Sequence, residues 1–313
     1  MRLGMLVDAA CDLPRAFIAQ NAIRVMPIPI RVSGRERVDV RDDADTKDFF
    51  ARVLAAGVTD VESRPYGEEQ LVALFLPRLV LDFDYVFCLT IASRRSPIYE
   101  RAQKFSFQII TKYKPLRQAG NVPGPFAMRV FDSRNIFAGQ GVQIMELARL
   151  IRADTPVSRI VRRMEEVIPQ TYAYMVPSDL HYLYARAHEQ GDRSMGFMGY
   201  TLRSALDMKP IACCLRGETG TVAKVRHFPA AVERVFANVT REIERGLLVP
   251  FVNLSYGGDW TAIAQLPGFL ALARAASTRG VEVHWSHLSM SAGVSVGPGA
   301  LTVGIVAQPH SFT

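Results

Sequence analysis

Residues 3–21 read LGMLVDAACDLPRAFIAQN, and this stretch sets the pattern for the first half of the chain. Leu3–Val7 is a short apolar run, Asp12-Leu13-Pro14 carries a helix-start signal, and Arg15–Asn21 continues with helical spacing. The alternation then repeats. Tyr85–Ile91 (YVFCLTI) is a continuous apolar run, as a strand buried on both faces requires. Pro97–Lys114 has helical spacing, Ala127–Phe131 is another short strand, and Ala138–Arg152 is an amphipathic helix. Strands alternating with helices predict a parallel sheet covered on both faces. Between them, Pro27 and Pro29 make Arg24–Val32 an edge or irregular strand, since each removes a backbone donor. Thr46–Ala56 and Gly67–Arg78 are predicted helices, and Leu116–Phe126, with two prolines and two glycines, is predicted as a long loop.

The second half reads as a second α/β unit. Tyr172–Val176 is a strand, and Ser178-Asp179 begins a helix expected to reach about His188. Pro210–Leu215 and Thr221–Arg226 flank Arg216-Gly217-Glu218-Thr219-Gly220, a hairpin signal. Ala230–Arg245 is a helix, Pro250–Ser255 a strand, and Ala262–Arg279 a helix ending at Gly280. Val281–Leu288 and Ala300–Ala307 complete the strands, and the uncharged stretch from Val283 to Thr313 reads as strands and tight turns. At roughly 150 residues per domain, the 313-residue chain divides into residues 1–168 and 169–313.

Composition narrows the function. The formal charge of +7 comes from basic residues scattered along the chain, without interleaved aromatics or a nucleic-acid-binding motif, so nucleic acid is not the expected partner. Cys11, Cys88, Cys213 and Cys214 form no CxxC pair, which suits reduced thiols in a cytoplasmic protein and excludes a disulfide framework. Glycines and prolines interrupt the uncharged C-terminal stretch, so no integral membrane segment is expected. Dinucleotide and P-loop fingerprints are absent, and the six histidines show no metal-ligand spacing, so neither cofactor nor metal is expected.

Ligands of open parallel sheets bind beyond the carboxyl ends of the strands. That rule selects Asp8, Ser93, Asp132 and Ser133, with Ser63 at the head of a helix as a further candidate. Asp8, Asp12 and Asp132 are equally suited to turns and caps, so spacing alone leaves both roles open. Gly293-Val294-Ser295-Val296-Gly297 spells G-x-S-x-G, but the nucleophile elbow needs a strand before it, a helix after it and a later acid. No Asp or Glu follows Glu282, so a hydrolase is rejected. His284 and His287, three apart in a predicted strand, point to opposite faces; His287 reaches a pocket only if its ring turns inward.

Several landmarks, in order, resemble the DegV family of bacterial fatty-acid-binding proteins. Val7–Pro14 (VDAACDLP) resembles its "TDSTxDLP" opening, and Val25–Ile30 and Gly34–Asp39 resemble the segments that follow. Glu62–Tyr66 (ESRPY) stands where the family has "TSQPS", Ile91–Ser93 where it has "ISS", and Asp132–Gly141 is similar to "DSxxxSxGxG". Asp179–Leu183, Leu206–Ile211 and Lys224-Val225-Arg226 continue the series, and Gly297-Pro298-Gly299-Ala300 matches the "H-x-GPGA" turn. The resemblance implies a two-domain α/β fold, with a mostly parallel Rossmann-like sheet, a second α/β domain and the ligand between them. It implies a binding protein, not an enzyme, that buries a long-chain fatty acid or other acyl lipid and presents it to a fatty-acid kinase. The head group is expected near Ser63, Ser93 and Ser295, with Glu62, Arg94 and Gly297 beside it. Here Glu62 replaces the family Thr, Ala92 the first Ser of "ISS", and Ser295 the His, while Arg94-Arg95-Ser96-Pro97 replaces a small-residue segment. A carboxylate beside a ligand carboxylate repels it or holds a proton, unless Arg64, Arg94 or Arg95 pairs with either acid. Head-group recognition is therefore expected to differ; the alternative is a partner-binding regulatory protein that has lost lipid binding.

Overall fold

The computed structural model describes residues 1–58, 60–183 and 208–313. Strands β1 (Leu3–Asp8), β2 (Arg24–Met26), β6 (Tyr85–Thr90) and β7 (Ala127–Asp132) form an all-parallel sheet in the order β2-β1-β6-β7. Successive side chains serve opposite layers. Leu6, Val86 and Cys88 pack under α3 (Glu68–Asp82) and α4 (Ile98–Ala119), with Leu79, Phe105 and Ile109. Met5, Val7, Phe87 and Leu89 pack on the other face with Phe17 of α1 (Arg15–Gln20) and with α5 (Phe137–Arg152) and α6 (Val157–Val167). Both faces are therefore covered, which is why these strands read as unbroken apolar runs.

Pro27 divides the extended stretch 24–32 in two. Before it, β2 joins the parallel sheet; after it, β3 (Ile28–Val32) is the centre of a small antiparallel sheet with β4 (Arg35–Asp39) and β5 (Val61–Ser63). Asp42 accepts from the Ala44 and Asp45 amides and so caps α2 (Asp43–Phe49), which runs on into a π-helical turn at Phe50–Leu54.

The second large sheet has the order β10-β9-β8-β13-β11-β12. Its strands are β8 (Thr171–Val176), β9 (Met208–Leu215), β10 (Glu218–Arg226), β11 (Phe251–Tyr256), β12 (Glu282–His287) and β13 (Leu301–Val306). All neighbours are antiparallel except β11 and β12. Helices α7 (Phe228–Arg245) and α8 (Phe269–Arg279) cover one face, and α5 lies on the other, packed against β8, β11 and β13. That helix is buried almost along its length because it separates the two sheets. Glycines permit the close approach. A Cβ on Gly304 would lie 2.3 Å from the Ala138 carbonyl oxygen, and one on Gly141 would lie 2.2 Å from that of Asp12.

Three expectations need correction. Helix α4 continues through Pro115 to Ala119, so the connection to β7 is only 120–126. Pro115 is solvent-exposed, and water can satisfy the carbonyl that its ring deprives of a partner. The helix expected over 262–279 is broken: Trp260–Gln265 is a 3₁₀ turn, Gly268 adopts φ 84°, and α8 begins at Phe269. The uncharged C-terminal stretch holds a helix, α9 (Met290–Val296), between β12 and β13. The end of the helix expected to reach His188 lies outside the described residues.

Candidate functional site

A cavity of ≈ 640 Å³ opens at the carboxyl end of the parallel sheet, within the 300–1,000 Å³ usual for ligand pockets. Ala10 follows β1, Ile91 follows β6, and Ser96, Pro97 and Ile98 lead into α4, while Phe137 opens α5. Ile28 and Asp60–Ser63 come from the small sheet and its approach, and α9 supplies Ser291 and Ser295. A narrow extension of ≈ 10 Å³ shares Ile28, Pro65 and Ile98 with the cavity and reaches Met26, Leu71 and Asp8. The lining thus combines aliphatic and aromatic side chains with serine hydroxyls and the charged groups of Asp60, Glu62 and Arg95.

Of the six residues expected at the head group, Glu62, Ser63 and Ser295 line this cavity. The other three are placed elsewhere. Ser93 donates through Oγ to Asp132 Oδ2 at 2.6 Å and through its amide to Oδ1 at 3.1 Å. Arg94 pairs with Glu218 on β10. Gly297 terminates α9 at φ 83°, where a Cβ would lie 2.7 Å from the Tyr182 ring. Glu62 is ion-paired with Arg64 at 2.8 Å, both half-exposed. Arg95 and Ser96, from the segment that departs from the family pattern, join the lining, as do Asp60 and Ser291, whose positions are set by folding and which no local signal marks.

Two buried carboxylates hold the α9 wall in place. Asp12, expected to start α1, instead turns toward the second sheet. It accepts from Ser255 Oγ at 2.5 Å and from the Ser289 amide at 2.9 Å, just before α9. Asp39 accepts from both the amide and Oγ of Ser291, each at 2.9 Å. Arg41 stands between them. Its amide donates to Asp39 Oδ1 at 3.1 Å, its Nη1 lies 3.3 Å from Asp12 Oδ1, and its Nη2 donates to the Leu13 and His287 carbonyls. Three charged groups are therefore compensated inside the protein, as burial demands. Asp132 does act as a turn residue, accepting from the Arg134 amide at 2.8 Å.

Asp8 is fully buried at the end of β1, and it accepts from the Ile91 and Ala10 amides and Gln140 Nε2. Burial outweighs these donors and pushes its carboxyl up to about 6. His287 packs its ring edge-on against Trp260, with centroids 5.4 Å apart, outside the cavity lining. Burial, with the positive charges of Lys47 and Arg41, lowers its pKa to about 4. The two groups act oppositely on stability. Asp8, raised above its unfolded value of about 3.9, contributes stability that is present below that value and lost as pH rises through about 6. His287, lowered from about 6.5, contributes stability that is present above that value and lost as pH falls through about 4. Thermal melts between about pH 4 and pH 6.5 should separate them. Relative to wild type, Asp8→Asn should melt progressively higher as pH rises, and His287→Gln progressively lower.

The comparisons agree with this architecture. Residues 2–308 match the family described as "Uncharacterised protein, DegV family". A DegV domain-containing protein of Xanthomonas campestris is 44% identical over 313 residues, covering 100% of both chains. The crystal structure of a DegV lipid binding protein from Thermotoga maritima superposes with a TM-score of 0.76 at 18% identity, over 99% of this chain and 100% of that one. The Fatty Acid Kinase B3 protein of Streptococcus pneumoniae, loaded with linoleic acid, gives 0.70 at 14% identity, over 98% and 100%. At such identities the structural likenesses show the fold.

Proposed function

The chain belongs to the DegV family, and from that premise we propose that it binds a long-chain fatty acid or related acyl lipid and presents it to a fatty-acid kinase. One observation carries the binding: a ligand-sized cavity at the strand ends is lined by both apolar side chains (Ile28, Ile91, Ile98, Phe137) and serine hydroxyls (Ser63, Ser96, Ser291, Ser295). An amphiphile matches that combination. Burying about fourteen methylenes at roughly 0.8 kcal/mol each supplies on the order of 11 kcal/mol gross, and association costs reduce this to tight, reversible binding. The lipid-binding Thermotoga protein and the linoleate-loaded Streptococcus protein, which share the fold, support the ligand class and, by the latter's name, the kinase partner.

A carrier role, not catalysis, is our reading of Ser295. It lies within α9 rather than on an elbow after a strand, and its hydroxyl donates to the Ser291 carbonyl at 3.3 Å. We place the protein in the cytoplasm, in keeping with four free cysteines, of which Cys11, Cys88 and Cys214 are buried. No helix among the described residues is long and apolar enough to cross a membrane. Titration with a fluorescent acyl probe should show saturable 1:1 binding that unlabelled acyl lipids reverse. Probe uptake that is non-saturable or indifferent to competitors would count against the reading.

A further inference from the structure

Helix α4 packs Phe105 and Ile109 into the core and leaves an apolar and basic face outside. On that face Phe107 is 71% exposed and Ile110 41%. Lys104, Phe107, Ile110 and Lys114 follow one another at spacings of three, three and four, so they share one side of the helix. Exposed Thr111 lies among them and exposed Lys112 beside them. Lys104, Lys112 and Lys114 make no ion pair among the described residues, and Lys112 donates to Gln108 Oε1 at 3.2 Å. Between Glu100 and Asp132 the chain holds six Arg and Lys and no Asp or Glu. Helix α3, packed beside α4, adds exposed Leu74 and Arg78. The carboxylates of the two helices stand at their ends: Glu68, Glu69 and Glu100 in the first turns, and Asp82, paired with Arg24, in the last.

An exposed phenyl ring among unpaired lysines suits a partner that is anionic at its surface and apolar just beneath. Phe, Ile and Lys on one helix face are the composition of interfacial binding, and each lysine adds attraction to anionic head groups. A second copy of the chain fits poorly, because it would set these lysines against their equals. The face also stands close to the cavity. Ser96, Pro97 and Ile98 line the cavity where α4 begins, and Phe107 lies nine residues beyond Ile98, about 14 Å at roughly 1.5 Å per residue. Resting on the acyl-lipid reading above, we infer that the α4 face docks peripherally on an anionic phospholipid bilayer. Phe107 enters among the head groups, and the cavity is held near the surface from which an acyl lipid is taken or to which it returns.

Delipidated full-length protein is floated with vesicles of phosphatidylglycerol and phosphatidylcholine and, separately, with vesicles of phosphatidylcholine alone. The anionic vesicles should bind it far more tightly, and binding should be lost at about 0.5 M salt, where screening shortens the reach of surface charges to a few ångströms. Phe107→Ser should weaken it about tenfold or more, and Lys104→Gln/Lys114→Gln about thirtyfold. Both variants should melt as wild type does and keep its acyl-probe affinity, because none of these residues lines the cavity. Vesicle binding that is indifferent to head-group charge, or undiminished in both variants, would overturn docking through α4. So would a dimer that Phe107→Ser dissolves, which gives the face to a second copy, and an absence of vesicle binding, which leaves it to an acidic protein. In each case acyl-probe binding by the wild type keeps the carrier reading standing. A protein that binds neither probe nor vesicles would overturn both.

Discussion

Arg41→Met should cost about 3–5 kcal/mol, because it leaves the fully buried Asp12 without its counter-charge. At 2–4 °C per kcal/mol, the melting temperature should drop by roughly 10 °C. The Leu13 and His287 carbonyls lose their donor in the same change, so broken hydrogen bonds add to the lost ion pair. The double variant Arg41→Met/Asp12→Asn distinguishes these contributions. Removing the stranded charge should recover part of the loss, and a double variant no more stable than Arg41→Met would show that the ion pair is not the source. The consequence for function is direct, since Asp12, Asp39 and Arg41 fix the start of α9 and thus one wall of the cavity.

Ser295→Trp should reduce acyl-probe binding by more than about tenfold, because an indole placed in the cavity takes the volume the ligand needs. Ser295 is exposed, on the cavity face of α9. The fold should therefore tolerate the change to within about 0.5 kcal/mol, as surface substitutions usually do. Circular dichroism and thermal melts establish the second half of that expectation, and probe titration the first. Undiminished binding in a folded Ser295→Trp protein would move the ligand to another part of the molecule.

Much of the fold was legible because its signals are local. Apolar runs at Leu3–Val7, Tyr85–Ile91 and Ala127–Phe131 gave the parallel sheet, and the glycine-bearing stretch after Leu215 gave the β9–β10 hairpin, although the turn itself is only Arg216-Gly217 and Gly220 lies paired within β10. What was not legible depends on partners remote in the chain. Helix α9 (MSAGVSV) has only seven residues, rich in serine, glycine and valine, which are modest helix formers. It is held at its first turn by Ser289 as cap, by Asp12 through the Ser289 amide and by Asp39 through Ser291. Asp12 and Asp39 lie more than 250 residues away in the sequence. Likewise Ser63 and Ser295 could be named from the family pattern, and Ser96 lies in a segment that departs from it, whereas Ser291 joined them only through folding. Ser93 illustrates the converse: a serine after a strand end is as well suited to bonding Asp132 as to meeting a ligand. We propose that the chain divides near residue 168, with α5 the helix its two parts share; limited proteolysis with identification of the fragments tests this.

The central claim is that this chain carries an acyl lipid. Its most direct test is mass spectrometry of the intact protein purified from its own cells without detergent, followed by solvent extraction. A single acyl lipid per chain, released on denaturation and absent from Ser295→Trp, is the predicted result. A protein that emerges empty and takes up no fatty acid or other acyl lipid on reconstitution would contradict the account.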